Sequence, residues 1–544
     1  MFTTQRRPPG SGKNPEAGAS GLGGVFTGLG EAFTAQGRPP ESWGGRVEAN
    51  LFTGRIVIHR DGYGFVVPDQ PVAGVDGDLF IAPGSTGDAM HGDAVAARIE
   101  KRRADGRAEG RVVRIVRRAH PTVVGVFRYG DRGNVVAPFE TRLGQEILIP
   151  PGAELTPALR QKYEAEGKHS RRQRLEELDG MVVDVELTRF PSGGVAPAGR
   201  VLEIVGRTGE MGVDTEIVIR KHRIPHRFED DTQTEADATP QQVRHSDLEG
   251  REDFRALAIV TIDGETAKDF DDAVHVRRLP GDHYELQIHI ADVAHYVRPG
   301  SALDREARVR GTSVYFPGRA VPMLPEALSN GICSLNPQVD RLVMSAVMEI
   351  DRRGAILRSR FTAGVIRSAE RMTYTNVNKV LEGDAEASGR YSALVEHFRL
   401  MRELAMILNA RRNGRGSIDF DLPEPMIEFD ELGRMVTIVR TERNIAHRII
   451  EEFMLAANEA VARYLTERNQ PLVARIHDQP EAEVLEDFYR FVEKISERKL
   501  GHRTAKNLAQ AVRDIRDEPY GPIAHLFLLR SLSHADYAPE AGLH

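Results

Sequence analysis

Four aspartates, Asp263, Asp269, Asp271 and Asp272, fall within ten residues of the segment TIDGETAKDFDDAV, with Glu265 and Lys268 between them. Carboxylates set this densely repel one another and resist burial unless something positive compensates them. Two arrangements meet that condition: a solvated acidic loop, or acids converging on hard divalent cations, which take oxygen ligands from Asp, Glu and water. The calcium-loop spacing Asp-x-Asp-x-Asp-Gly-x5-Glu is absent, which excludes an EF-hand. The surroundings favour cations. The acids follow directly on the apolar run LAIVTI (257–262), and a second apolar strand, YELQIHIAD (284–292), comes soon after. Acids at the end of a core strand are placed for chemistry rather than for solvation.

A different chemistry is written into Asp61-Gly62-Tyr63-Gly64-Phe65-Val66-Val67. On a strand, alternate residues share a face, so Tyr63, Phe65 and Val67 lie together beside Arg60. Two exposed aromatics there would form a platform for stacking bases without reading their sequence; the alternative is that Phe65 packs into a core. Charge bears on the choice. The net charge is −7, yet residues 98–118 hold nine Arg/Lys against three acids, and KHSRRQR (168–174) forms a second basic cluster. Basic patches towards the front and acids further on suit a protein that holds a polyanion on one surface and acts on it at metal ions.

The elements that must position these groups are several, because 544 residues exceed what one hydrophobic core serves. Residues 1–45 are rich in Gly, Pro, Ser and Ala and are expected to be a disordered leader. Strand-length runs at 54–69, 78–83, 92–100 and 109–118, cut by Gly, Pro and Asp turns, predict a small barrel over 46–119. Runs at 122–138, 146–151, 181–191 and 198–206 predict a second barrel over 120–206, with a charged loop or short helix inserted at 157–180. Its aromatics, Phe127, Tyr129 and Phe139, are sparser. An acidic connector (207–250) leads into a large α+β domain (251–544) that mixes strands with helices over 392–412 and 442–465. In the second helix Ile445, Ile449, Phe453, Leu455, Ala456 and Ala460 are expected on one side. No apolar run is long enough for a membrane helix, and no secretory start is present. The lone cysteine, Cys333, cannot form an intrachain disulfide; it reads as a buried small side chain in a chain suited to a reducing compartment.

GYGFV followed by DLFI resembles the cold-shock pattern, an OB-type barrel that binds single-stranded nucleic acid. TIDGETAKDFDDAV, with the block from IHIADVAHYV through TSVYFP, MLPE, LSNG and CSLNP (288–345), resembles the RNB catalytic domain of the ribonuclease II/R family. The likeness runs from about residue 50 to the end and is closest to the ribonuclease R wording. It implies a multidomain fold of tandem OB-type, cold-shock-like β-barrels followed by an α+β RNB catalytic domain. It further implies a 3′→5′ exoribonuclease that hydrolyses single-stranded RNA to nucleoside 5′-monophosphates with Mg²⁺, Mn²⁺ being a substitute. A cytoplasmic monomer is expected.

The resemblance assigns the catalytic and metal-holding acids to Asp263, Asp269, Asp271 and Asp272, with Asp271 the one whose loss is most damaging. Tyr315 matches a tyrosine near the 3′-terminal nucleotide, Tyr374 and Phe420 match aromatics of the RNA path, and Glu451 or Glu452 matches an acid near the terminal ribose. With Tyr63 and Phe65 these are the expected RNA contacts. The family pattern carries a helical DNA-binding-like domain in front and, behind, a phosphate-clamping arginine motif and an S1 barrel. None of these is visible between Met1 and His544, so a catalytically impaired RNA-binding fragment is the alternative expectation.

Overall fold

The computed structural model describes residues 50–542 apart from 60, 104–105, 131–132, 157–159, 162–164, 166–170, 419–423, 431–433, 442, 481, 497–504, 517 and 541. The leader at 1–45, Arg60 and Phe420 thus lie outside the described residues. The chain divides into two compact units, up to Val205 and from Gly206 onward.

The first unit is two closed five-stranded barrels. Strands β1 (Leu51–Ile58), β2 (Gly64–Pro68), β3 (Leu79–Ile81), β4 (Ala94–Arg102) and β5 (Ala108–Arg117) join in the order β1-β2-β3-β5-β4. Period-two alternation sends Ile56, Val66, Leu79, Ile81, Val95, Ala97 and Ile99 inward as the core. The β1–β2 turn uses Gly62 at φ +86°, a conformation that favours glycine, and closes with His59 N–H donating to the Tyr63 carbonyl at 2.8 Å. Strands β6 (Thr122–Arg128), β7 (Asn134–Pro138), β8 (Ile147–Ile149), β9 (Met181–Arg189) and β10 (Ala198–Arg207) repeat the topology around Phe127, Val136, Ile147, Ile149, Val183 and Val185. Within the insert, Arg171–Leu178 is helical.

The second unit is built on a seven-stranded sheet. Its strands are β11 (Glu252–Asp253), β12 (Val260–Asp263), β13 (Asp272–Leu279), β14 (His283–Ala291), β17 (Asp340–Ile350), β18 (Ile356–Arg367) and β19 (Glu370–Thr373), with a separate hairpin of β15 (Val314–Phe316) and β16 (Arg319–Val321). The sheet order is β11-β18-β17-β14-β13-β12-β19. One face carries Val260, Ile262, Val274, Val276, Leu286, Ile288 and Met348 against the helices Tyr374–Glu382, Val395–Arg415 and Ile445–Glu467. The other packs Phe254, Ile259, Phe270, Leu335, Val343 and Ile366. Three further helices, Ala482–Ser496, Ala505–Asp514 and Gly521–Ser531, enclose their own core of Phe488, Tyr489, Val492, Leu508, Val512 and Leu528.

Two local expectations change. The acidic connector includes two short helices, Val213–Lys221 and Asp230–Asp237, the second seating Ala236 against Leu303, Leu328 and Ile332. In Ile445–Glu467 the buried stripe is Ala446, Ile449, Ile450, Phe453, Ala456, Ala457 and Ala460, whereas Leu455 is 37% exposed. The 100° step between residues carries Leu455 off the line of Ile449, Phe453 and Ala456, and the small alanines rather than a leucine let the helix approach the sheet.

Candidate active site and RNA platform

The acids gather where two core strands end. Asp263 is the last residue of β12 and Asp272 the first of β13, and the two strands pair antiparallel through Val260 and Val274. The connecting loop is pinned by Phe270, which is buried in the second core at 7% exposure. Its N–H donates to Ser334 Oγ at 3.0 Å, that hydroxyl donates to the Lys268 carbonyl at 2.9 Å, and Leu335 N–H donates to the Phe270 carbonyl at 2.9 Å. With Phe270 held inward, its neighbours Asp269 and Asp271 are left to the site. Ala291 N–H donates to the Asp271 carbonyl at 2.9 Å and ties the loop to β14.

The electrostatics are those of an uncompensated cluster. Burial pushes the Asp263 carboxyl up to about 7, helped by Asp272, opposed by Arg371 and raised further by Asp269 and Asp271. Burial and then Asp271 push Asp272 up to about 6, and burial with Asp269 raises Asp271. Asp263 Oδ2 is buried with no hydrogen-bond partner, a costly state for a carboxylate oxygen. Among the described residues no three His, Cys, Asp or Glu side chains close into a ready ligand cage. The all-oxygen donor set, the orphaned oxygen and the mutual repulsion nevertheless fit a hard divalent cation, which would restore the ionised state of each acid.

Aromatics flank the acids. Tyr315, on the β15–β16 hairpin and 69% exposed, donates from Oη to Asp269 Oδ2 at 3.0 Å. Tyr374 opens the helix Tyr374–Glu382 just beyond Thr373, the β19 partner of Asp263. Its phenol is pushed up to about 12 by burial, then by the charges of Asp263, Asp272 and Glu451. The two glutamates separate cleanly. Glu452 is 3% exposed and locked to Arg412 at 2.6 Å and Asn409 at 2.8 Å, a structural ion pair between helices. Glu451 is held by Arg443 and stands within electrostatic reach of Tyr374. Sequence reasoning missed His447, stacked on the Tyr374 ring at 3.9 Å between centroids and 18° between planes. It also missed Arg371, whose guanidinium donates to the Gly264 and Glu265 carbonyls and lies near the Phe270 ring. Cys333 is buried, its thiol pushed up to about 12, and serves packing.

On the first barrel Phe65 is 38% exposed, so its ring lies outside the core. Across three strands Val57, Phe65 and Phe80 stand in one register row, and Tyr63 lies 6.0 Å from both Phe65 and Phe80. His59 stacks on Tyr63 at 4.6 Å, brought there by the Gly62 turn. Sequence reasoning missed Phe80 and His59, although a signal was present: Phe80 sits between the inward Leu79 and Ile81, and His59 and Tyr63 flank the Asp-Gly turn. In the second barrel Phe127 is fully buried and no comparable row forms among the described residues.

Two OB-type barrels ahead of an α+β domain that gathers carboxylates where its core strands end define a nucleic-acid-handling class. Family models match as the Ribonuclease B OB domain over residues 54–115, the Cold shock domain over 136–229 and the RNB domain over 251–544. The chain belongs to the RNB-domain family of ribonuclease II/R type. It is 36% identical over 495 residues to Ribonuclease R of Escherichia coli K12, covering 90% of this chain and 58% of that one. It is 37% identical over 499 residues to Ribonuclease R of Thermotoga maritima, covering 90% and 66%. The chain thus spans under two thirds of these relatives' length. In fold it is similar to Mycoplasma genitalium RNase R in complex with ribose methylated single-stranded RNA (TM-score 0.79, 24% identity, 90% of this chain and 74% of that one). It is also similar to yeast Ssd1, a pseudonuclease (TM-score 0.61, 18% identity, 90% and 64%).

Proposed function

We propose that this protein is a metal-dependent 3′→5′ exoribonuclease that shortens single-stranded RNA to nucleoside 5′-monophosphates. The observation that carries it is the set of crowded, mutually repelling aspartates, partly buried at Asp263, Asp269 and Asp272, with the Asp263 Oδ2 atom buried and lacking any hydrogen-bond partner. Asp263, Asp269, Asp271 and Asp272 would hold Mg²⁺, or Mn²⁺ in its place. Such ions, when bound, supply an activated water and stabilise the departing 3′-oxygen. Tyr315 and Tyr374 stack the last nucleotides and fix where the chain ends. Glu451, rather than Glu452, accepts the 2′-hydroxyl of the terminal ribose, the group that separates RNA from DNA. His59, Tyr63, Phe65 and Phe80 grip the strand upstream by stacking, indifferent to sequence. The domains follow as a barrel over 46–119, a barrel over 120–206, a connector over 207–250 and the RNB domain over 251–544. The protein would work as a monomer in the cytoplasm.

A second reading, an RNA-binding module with impaired catalysis, is favoured by one observation: the fold is shared with a pseudonuclease. Fold therefore does not decide between the two; metal-dependent turnover at the acids would. End-labelled single-stranded RNA incubated with Mg²⁺ and with chelator distinguishes them. Mononucleotides released only with Mg²⁺ support the nuclease. Retained RNA binding with no products under either condition supports the module.

A further inference from the structure

At the end of the sheet away from the aspartates lies a cavity of ≈100 Å³ lined by arginines. Apolar Ile356, Leu408 and Leu455 line part of it, and Arg411, Arg412, Arg415 and Arg463 line it with only Glu452 and Glu459 as acids. The location follows from strand register. The cavity includes Gly354–Ile356, at the turn joining β17 to β18, where Ile350 pairs with Tyr284. The catalytic loop meets the same β14 at Ala291, seven residues on, or about 23 Å at 3.3 Å per residue.

The four guanidiniums are not equally occupied. Arg412 is tied to the buried Glu452 and Arg415 to Glu459 at 2.8 Å. Arg411 and Arg463 have no hydrogen bond or ion pair among the described residues. Across the turn the nearby acid is Asp351, whose Oδ1 accepts from the Arg353 and Ala355 N–H groups at 2.8 Å each and which senses Arg411 through space; counting it, the four arginines still outnumber the acids. The lining therefore holds an excess of positive charge beside apolar side chains. Guanidinium forks match a phosphoryl group in charge and geometry, and a tetrahedral anion fits the cavity's size.

We propose that this cavity is a second, non-catalytic binding site for a phosphate monoester, with Arg411 and Arg463 as its free forks. Glu452 holds Arg412 in the wall and so positions the site without touching the ligand. Two sources could present the group: a mononucleotide, or the 5′-phosphorylated end of an RNA. Neither requires that the aspartate cluster be catalytic.

The test is calorimetric titration in chelator, so that no metal recruits phosphate to the aspartates. Wild type and the Arg411→Gln/Arg463→Gln double variant are titrated with inorganic phosphate, with AMP, and with an oligoribonucleotide bearing a 5′-phosphate or a 5′-hydroxyl. Both arginines are exposed, so the variant keeps its fold. Saturable phosphate binding at one site, weakened at least about tenfold in the variant, is expected. AMP binding more tightly than phosphate would name a mononucleotide as the source, and a preference for the 5′-phosphorylated over the 5′-hydroxyl RNA would name the RNA end. Equal affinities in wild type and variant, or no saturable binding in wild type, would overturn the proposal. The nuclease reading would stand untouched, since cleavage is measured separately with Mg²⁺.

Discussion

Two groups of aspartates in the same compact unit are treated in opposite ways. Asp247 and Asp253 each sit against an arginine, Arg244 and Arg255, whose hydrogen bonds hold both carboxyls down to about 2. Asp263 and Asp272, set at strand ends, have no such arginine hydrogen bond and are pushed up to about 7 and about 6. The same side chain thus serves stability where its charge is answered within the fold. Where it is left unanswered, the fold bears an electrostatic cost that a bound cation would remove.

The sharpest way to break this contrast is to remove charge from the unpaired group. Asp271→Asn keeps side-chain size and deletes the charge, so Mg²⁺-dependent cleavage should fall by about 100-fold or more while RNA affinity stays within about twofold. Single-turnover rates and filter binding read the two. A merely solvated loop predicts otherwise, because losing one charge near a polyanion relieves repulsion and neither quantity would drop.

Next in size is the platform, whose affinity rests on stacking rather than on carboxylates. Tyr63→Ala/Phe65→Ala should weaken single-stranded RNA binding by about 2–5 kcal/mol with little change in melting temperature. A folded double variant that binds as tightly as wild type would remove the barrel from the RNA path.

The adjacent glutamates provide a finer cut. Glu452→Gln leaves Arg412 without its buried partner and should lower the melting temperature, with RNA-over-DNA preference unchanged. Glu451→Gln should leave melting nearly unchanged and narrow that preference. Competition between matched RNA and DNA oligomers reads the second effect, and exchanged phenotypes would reassign the ribose contact to Glu452.

The smallest effect is on stability against pH. Asp263 and Asp272 hold protons in the folded chain up to about 7 and about 6, against roughly 4 when unfolded. The folded state therefore binds more protons between about 4 and 7, and stability in chelator falls as pH rises through that window. Melting temperature should drop by roughly 1–2 °C per kcal/mol lost between pH 5 and 8, and Mg²⁺ should restore more of it at pH 8. Asp247 and Asp253 run the other way: their stabilisation is complete above about 4 and is lost as pH falls towards 2. A chelated protein that melts higher at pH 8 than at pH 5 would show that the cluster is not desolvated.

Much of this is legible in the sequence. Turn glycines and alternating apolar residues outlined both barrels, and acids after LAIVTI marked the strand end that Asp263 occupies. What escaped needed distant partners. That Glu452 is bound within the fold turned on Arg412, forty residues away, and the row of rings beside Phe65 turned on Phe80 in a neighbouring strand. His447 lies on the ring of a residue in another helix, which no local pattern announces. Strand β18 hid because its outer half, Ile356–Arg360, is largely exposed and reads as polar.

If the clustered aspartates hold divalent cations, Mn²⁺ binding followed by electron paramagnetic resonance reads it most directly. Wild type should take up Mn²⁺ saturably at neutral pH, with uptake weakening as pH falls through the Asp263 and Asp272 range and Mg²⁺ competing. Asp263→Asn/Asp271→Asn should lose that uptake while Asp253→Asn retains it. Uptake that is undiminished in the double variant would contradict the assignment of these acids as the metal site.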